Sequence, residues 1–423
     1  MNSSRRSFLR GLTSAAGVAT ASTAYARQHV HPEAPTTPAG PARRVPAAIP
    51  AGSLGAGVVP VLTPDVPDMP WRVQNGVKVF DIEVGLVRTE FIPGRIVDAW
   101  GFNGSVPGPT IQVNEGDRVR LNVVNKLPEP FSMHWHGLEI PVEMDGMPGI
   151  SQESIAPGGS FAYEFTLKQN GTFFYHSHMA MQEMMGLIGL FIIHPRAAHT
   201  PRVDRDFGIV LQEWAILPNN TIPNSLAMEF NWLTLNGKAG PATTPLIVRL
   251  GERVRIRLVN LGMDHHPMHL HGHQFEVTGS EGGRFRTPSG EPANTVLVGV
   301  AQARDIEFVA DNPGDWHFHC HLPHHMMNQM VSMVGPLMMS HANSARTEPG
   351  RAAAPNADMF PGYPQDMVMV MDEMVAKPET YGLRPGWTGG TMGMMTIIRV
   401  LRPELFDKIQ ELKAEEARKA AAR

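Results

Sequence analysis

The chain carries an internal repeat, and that repeat limits its fold more than any other feature. Asn103-Gly104 is followed by Pro109-Thr110-Ile111-Gln112-Val113, by Gly116-Asp117-Arg118-Val119-Arg120-Leu121 and by His134-Trp135-His136-Gly137. Asn236-Gly237 opens a second series, with Pro245-Leu246-Ile247-Val248, Gly251-Glu252-Arg253-Val254-Arg255-Ile256 and His269-Leu270-His271-Gly272. Each series closes on a further pair, His176-Ser177-His178 in the first and His319-Cys320-His321 in the second. Polar and apolar residues alternate in short runs such as 78–84 and 118–123, divided by Gly, Pro or Asn. Alternation with a period of two turns one side of a strand into a core, the pattern of a sandwich or barrel. A content of 41 Gly and 37 Pro in 423 residues also favours short strands and turns over long helices. The expected fold class is all-β: two consecutive Greek-key β-sandwiches, residues 76–196 and 203–342, with no room for a third.

The flanks differ in style. Ser4-Arg5-Arg6-Ser7-Phe8-Leu9-Arg10, a weakly apolar run and Ala24-Tyr25-Ala26 read in order as a twin-arginine signal peptide over residues 1–26. Export of a folded protein to the periplasm or beyond is the expectation. Residues 27–75 are rich in Pro, Ala and Gly without periodicity and read as a linker or arm. Residues 343–423 are a Met-rich extension, in which 394–401 reads as one more strand and Pro403 opens a terminal helix. Its stripe of Leu405, Ile409 and Leu412 needs a partner, and a neighbouring subunit is expected to supply it. No later apolar run is long enough to span a bilayer. A net charge of −4 offers no basic field for nucleic acid.

The single Cys excludes an internal disulfide, so its neighbours decide its purpose. On a strand His319 and His321 face one side and Cys320 the other. A thiolate from Cys320, an imidazole from His325, a second imidazole and a weak thioether from Met330 are the ligands of a blue-copper electron-transfer site. The second imidazole is His266, on the turn before His269-Leu270-His271. His319 and His321 would then hold other metal ions on the opposite face. Four His-x-His pairs, His134/His136, His176/His178, His269/His271 and His319/His321, suit a copper cluster where the two domains meet.

These motifs resemble those of the multicopper oxidases, the family of laccases, ascorbate oxidase and ceruloplasmin, over residues 76–342. The resemblance implies cupredoxin-like sandwiches. It implies type 1 copper on His266, Cys320 and His325 with Met330 axial, and type 2 copper on His134 and His269. It implies a type 3 copper pair on His136, His176, His178, His271, His319 and His321. Aligning the halves sets Phe131 against His266, Ser177 against Cys320 and Gln182 against His325, so only the second domain keeps a type 1 site. Asp145 matches an acid that in the family lies near type 2 copper and supplies protons, while its spacing alone fits an Asp-Gly turn equally well. Relatives often carry another acid within or just after His-Cys-His. Here Leu322-Pro323-His324-His325-Met326-Met327 carries none, and Glu183 and Glu307 are the possible substitutes.

The expected activity is a laccase-like oxidase coupling one-electron oxidation of a donor to four-electron reduction of dioxygen to water. Phenolic or aromatic donors and low-valent metal ions all stay open, and electrons are expected to arrive through an exposed edge of His325. Many of the 26 Met crowd the copper segments and the extension; most read as core filling. The lesser reading makes them a copper-handling surface, and with it comes the alternative of a copper-binding resistance protein acting on Cu(I). A copper nitrite reductase ranks last, since that resemblance puts blue copper in the first domain without His-Cys-His. With only a short link between the domains, the small two-domain laccases it resembles imply a homotrimer, head to tail.

Overall fold

The computed structural model describes residues 53–422 apart from 180, 218–219, 288–289 and 329–369. The signal peptide, the first part of the arm and Met330 lie outside the described residues.

The alternating runs form two sandwiches of the same plan. In the first, one sheet orders Trp71–Gln74, Val77–Glu90, Arg118–Asn125 and Ser160–Thr166, with Ile96–Phe102 also on Val77–Glu90. The other orders Gly108–Asn114, Ile188–His194, Gly171–Ser177 and Met133–His136. Phe80, Leu121, Trp135, Tyr163 and Phe191 fill the space between them. In the second sandwich Arg205–Trp214 runs parallel to Arg253–Asn260, as Val77–Glu90 does to Arg118–Asn125. Its facing sheet orders Leu246–Arg249, Met395–Leu401, Gly314–Cys320, His266–Leu270 and Thr295–Val298. The inward side chains, Leu211, Ile256, Met268, Phe318 and Cys320 among them, form its core.

Three segments depart from the sequence reading. The extension is not an appendage, because Met395–Leu401 lies between Leu246–Arg249 and Gly314–Cys320 inside the second sandwich. The end of the arm is not a free linker. Ala56 bridges Ala197, Leu62 bridges Phe207 and Asp68 bridges Thr110, with Val61 and Met69 buried. These contacts are isolated, so no periodicity betrays them. The terminal helix Pro403–Ala421 finds its partner in its own chain: Phe406 and Ile409 are buried against Ile247 and Leu401. Arg205 and Arg249 hold guanidinium groups 5.0 and 5.7 Å from the Phe406 ring. No helix among the described residues is long and apolar enough to cross a membrane.

The sandwiches meet through a small apolar patch of Phe174, Ile188 and Leu190 against Val210, Val259 and Leu261. Beside it lies a buried ionic cluster. Arg257 donates to Asp206 at 2.8 Å and to the Thr172 hydroxyl at 2.7 Å, and Thr172 donates to Asp305 at 2.7 Å. Thr172 belongs to the first sandwich and the charged groups to the second.

Candidate metal centres

Strand Gly314–Cys320 separates two chemistries. Phe318 and Cys320 point into the core, and His319 points the other way. Its neighbour His266–Leu270 pairs Met268 with Cys320 and His269 with His319, so the two strands share both faces.

On the core side, His266, Cys320 and His325 come together, all buried. The Cys320 Sγ lies 3.5 Å from His325 Nδ1 and 3.8 Å from His266 Nδ1, and the two nitrogens are 3.2 Å apart. Three donors at that spacing fit a trigonal site around one ion with bonds of about 2 Å. Burial pushes the bare Cys320 thiol up to about 12, so a cation is what makes the thiolate accessible here. Two imidazoles and one thiolate suit copper.

Each imidazole turns Nδ1 inward and Nε2 towards a carboxylate. His266 Nε2 is 3.2 Å from Glu213 Oε2, and His325 Nε2 is 3.5 Å from Asp264 Oδ2. Glu213 also accepts from the Asp264 amide at 2.8 Å and from the Met263 amide. Such acids fix the tautomer and orientation of a metal-binding imidazole. The sequence reading missed both. Glu213 left one signal: it is a charged residue in Arg205–Trp214, a strand buried almost from end to end. The expected exposed edge of His325 is absent in the described residues. His325 is 1% exposed, and its ring sits 4.3 Å from that of His324 and beside Asp264, which is 43% exposed.

The eight remaining imidazoles form two sets of four. His134 has ring centroids of His136, His176 and His178 at 5.6, 5.3 and 5.3 Å. His269 has those of His271, His319 and His321 at 4.9, 5.6 and 5.4 Å. Among the described residues no ring contact joins one set to the other. Outer nitrogens are occupied: His134 Nδ1 by Asp145 O at 2.8 Å, His176 Nδ1 by Ser177 O at 2.8 Å, His269 Nδ1 by Asn294 O at 2.8 Å and His319 Nδ1 by Cys320 O at 2.8 Å. The inner Nε2 atoms of His176 and His319 face a neighbouring ring nitrogen, His136 Nδ1 at 3.3 Å and His271 Nε2 at 3.0 Å, as donors that converge on one metal ion do. Burial, then neighbouring imidazoles, lowers His136 to about 4; burial is also the main cause that lowers His319 to about 4. Both are neutral, as ligands must be.

The acids sort themselves by contact. Asp145 Oδ1 is 3.5 Å from His134 Nδ1. It keeps its turn role as well, because a side chain at Gly146, with φ +82°, would lie 1.8 Å from Met133 O. Glu183 Oε1 is 2.7 Å from His176 Nδ1. Glu307 touches no cluster histidine and instead pairs with Arg253, Arg255 and Arg284.

Paired sandwiches, one buried thiolate site and two sets of four imidazoles define a copper protein of the cupredoxin class. The chain matches the multicopper oxidases over residues 86–198 and 216–335, and it belongs to that family. The blue copper oxidase of Nitrosomonas europaea is 33% identical with a TM-score of 0.55, over 59% of this chain and 81% of that one. A copper resistance protein A homolog of Pseudomonas syringae pv. tomato is 40% identical over 136 residues, 32% of this chain and 23% of its own. Laccase-1 of Botryotinia fuckeliana is 35% identical over 225 residues, 50% of this chain and 39% of its own. The chain thus spans well under two thirds of the length of these curated relatives.

Proposed function

We propose that this chain is an oxidase that takes single electrons from a reduced donor at the His266, Cys320 and His325 site and delivers four of them to dioxygen, leaving two waters. The observation that carries the reading is the two-sided strand. Cys320 faces the buried trigonal site, while His319 on the same strand joins the four-imidazole set behind it. A few covalent bonds link the donors of one site to those of the other. Bound copper would supply the one-electron redox chemistry. The residues hold the geometry: Glu213 and Asp264 orient the buried imidazoles, and Asp145 and Glu183 stand beside cluster histidines where protons are required. The copper content should be one type 1 and one type 2 ion and a type 3 pair. The copper-loaded protein should show an intense visible band that Cys320→Ser abolishes, and consume one dioxygen per four electrons donated. A ratio of one per two, with peroxide released, would remove the four-electron reading.

For the donor, the surroundings of His325 favour a low-valent metal ion over a phenol. Asp264, His324 and His325 bring donor atoms within 4.8 Å of one another. With His325 Nδ1 facing the buried site, its Nε2–H is directed to Asp264, which leaves the carboxylate and the exposed His324 for an incoming cation. Asp264→Asn should raise KM for Cu(I) or Fe(II) at least tenfold and leave a phenol unaffected. An equal loss on both donors would return Asp264 to a purely orienting role.

Two further features complete the reading. The separated histidine sets, with His271 and His321 exposed, support a homotrimer in which the first sandwich of one subunit faces the second of the next. The twin-arginine signal supports export.

A further inference from the structure

We infer that the fourth ligand of the buried copper site is Met394, delivered by the strand beyond the Met-rich stretch, and not Met330 as the spacing after His325 implies. The inference rests on the copper reading of Cys320, and the two sandwiches supply the argument. In the first, which lacks the blue-copper ligands, Ser177 donates its amide to Leu187 O at 3.1 Å, and Leu187 donates to Gln182 O at 3.4 Å. In the second, Cys320 donates to Met394 O at 3.0 Å, and Met394 donates to His325 O at 2.9 Å. The same frame therefore holds Ser177, Gln182 and Leu187 in one half and Cys320, His325 and Met394 in the other. The preceding glycines match as well, Gly186 and Gly393, both with positive φ.

The side chain lies on the required face. Ile398 and Val400 of strand Met395–Leu401 join the core that contains Cys320, and alternation puts Met394 with them. Met394 is wholly buried in that core. As the cross-strand neighbour of Cys320 on one face, it has its Cβ about 4.5–5.5 Å from that of the cysteine, within reach of a thioether.

A rival exists on the opposite flank, where Met268 pairs with Cys320. Its counterpart Met133 pairs with Ser177 in the half that binds no blue copper. A methionine present in both halves is core packing. The four positions that change between the halves, Phe131 to His266, Ser177 to Cys320, Gln182 to His325 and Leu187 to Met394, are the four ligands of one site.

The test uses the copper-loaded protein and two readouts other than turnover: the visible spectrum and the midpoint potential of the blue copper. Met394→Leu installs the residue of the other sandwich, so the fold is retained. It should keep copper bound, raise the potential and shift the blue band, and Met394→Gln should lower the potential. Met330→Leu and Met268→Leu should leave both readouts at wild-type values. An unchanged potential and spectrum in Met394→Leu, or the same shift from Met330→Leu, overturns the assignment. A wild-type protein that binds copper without a blue band overturns the oxidase reading itself, and this assignment with it.

Discussion

Glu213 accepts hydrogen bonds from two backbone amides and from His266 while wholly buried, so its three partners are all donors. An amide cannot accept from all three without aiming its own N–H at one of them. Glu213→Gln should therefore weaken copper retention by about 10–100-fold, measured as faster loss of the blue band to a chelator. Gly262→Ala should do the same, because a Cβ there would meet Glu213 Oε2 at 1.8 Å. Retention at wild-type rates in both variants would reduce Glu213 to packing. Asp145→Asn should slow dioxygen reduction while the blue copper is still reduced rapidly, since the carboxylate stands beside His134. At this scale the sequence was eloquent about His266, Cys320 and His325: alternation turns Cys320 away from His319, and the short turn Pro323–Met326 brings His325 back to it. It was silent about Glu213 and Asp264, which reach those imidazoles through the fold. The fourth ligand proposed above is one that motif spacing does not reach, because such spacing assumes that the chain goes directly from His325 into its next strand.

That strand, Met395–Leu401, was visible in the sequence as one more strand. Its place was not, because position in a sheet is set by distant partners, here Leu246–Arg249 and Gly314–Cys320. The part of the 27–75 arm from Ala56 to Asp68 was misread for the opposite reason: single bridges hold it, and single bridges leave no period. The helix was read correctly as amphipathic, but its stripe is covered by Ile247 and Leu401 of its own sandwich. Gly393 is the joint on which the late strand turns. Its φ is +64°, and a Cβ would approach His325 O to 2.2 Å. Gly393→Ala should destabilise the protein by about 1–3 kcal/mol in denaturant titrations and weaken the blue band. A variant as stable as wild type would show that the turn tolerates a side chain.

Two requirements meet at the scale of the whole molecule: a firm joint between the sandwiches and, in the trimer proposed above, a cluster completed between chains. Behind the joint, within the second sandwich, Glu307 pairs with Arg253, Arg255 and Arg284. Burial alone would raise its carboxyl, yet hydrogen bonds and charge from Arg284 and Arg255 hold it down to about 2. A carboxylate lowered on folding contributes stability that is present above its unfolded value, near 4.5, and is lost as pH falls towards 2. Glu307→Gln should cost about 3–5 kcal/mol at neutral pH, with the gap to wild type closing between pH 4.5 and 2. A gap that stays constant over that range contradicts the lowered carboxyl. For the unfinished cluster, light scattering of the copper-loaded protein should give three chains, and removal of copper should weaken the ring. A fully active, copper-loaded monomer would mean that both histidine sets close within one chain.

The position of Met395–Leu401 also governs the order of events during synthesis. An interior strand of the second sandwich leaves the ribosome after everything it must sit between, so a chain grown only as far as His325 has the thiol and both imidazoles but a gap in the sheet that should hold them. Such a chain exposes two unpaired strand edges beside a reactive cysteine. Delay is therefore built into copper acquisition, since the sheet that holds the site closes only after the far end of the chain has come back to fill the gap in its middle.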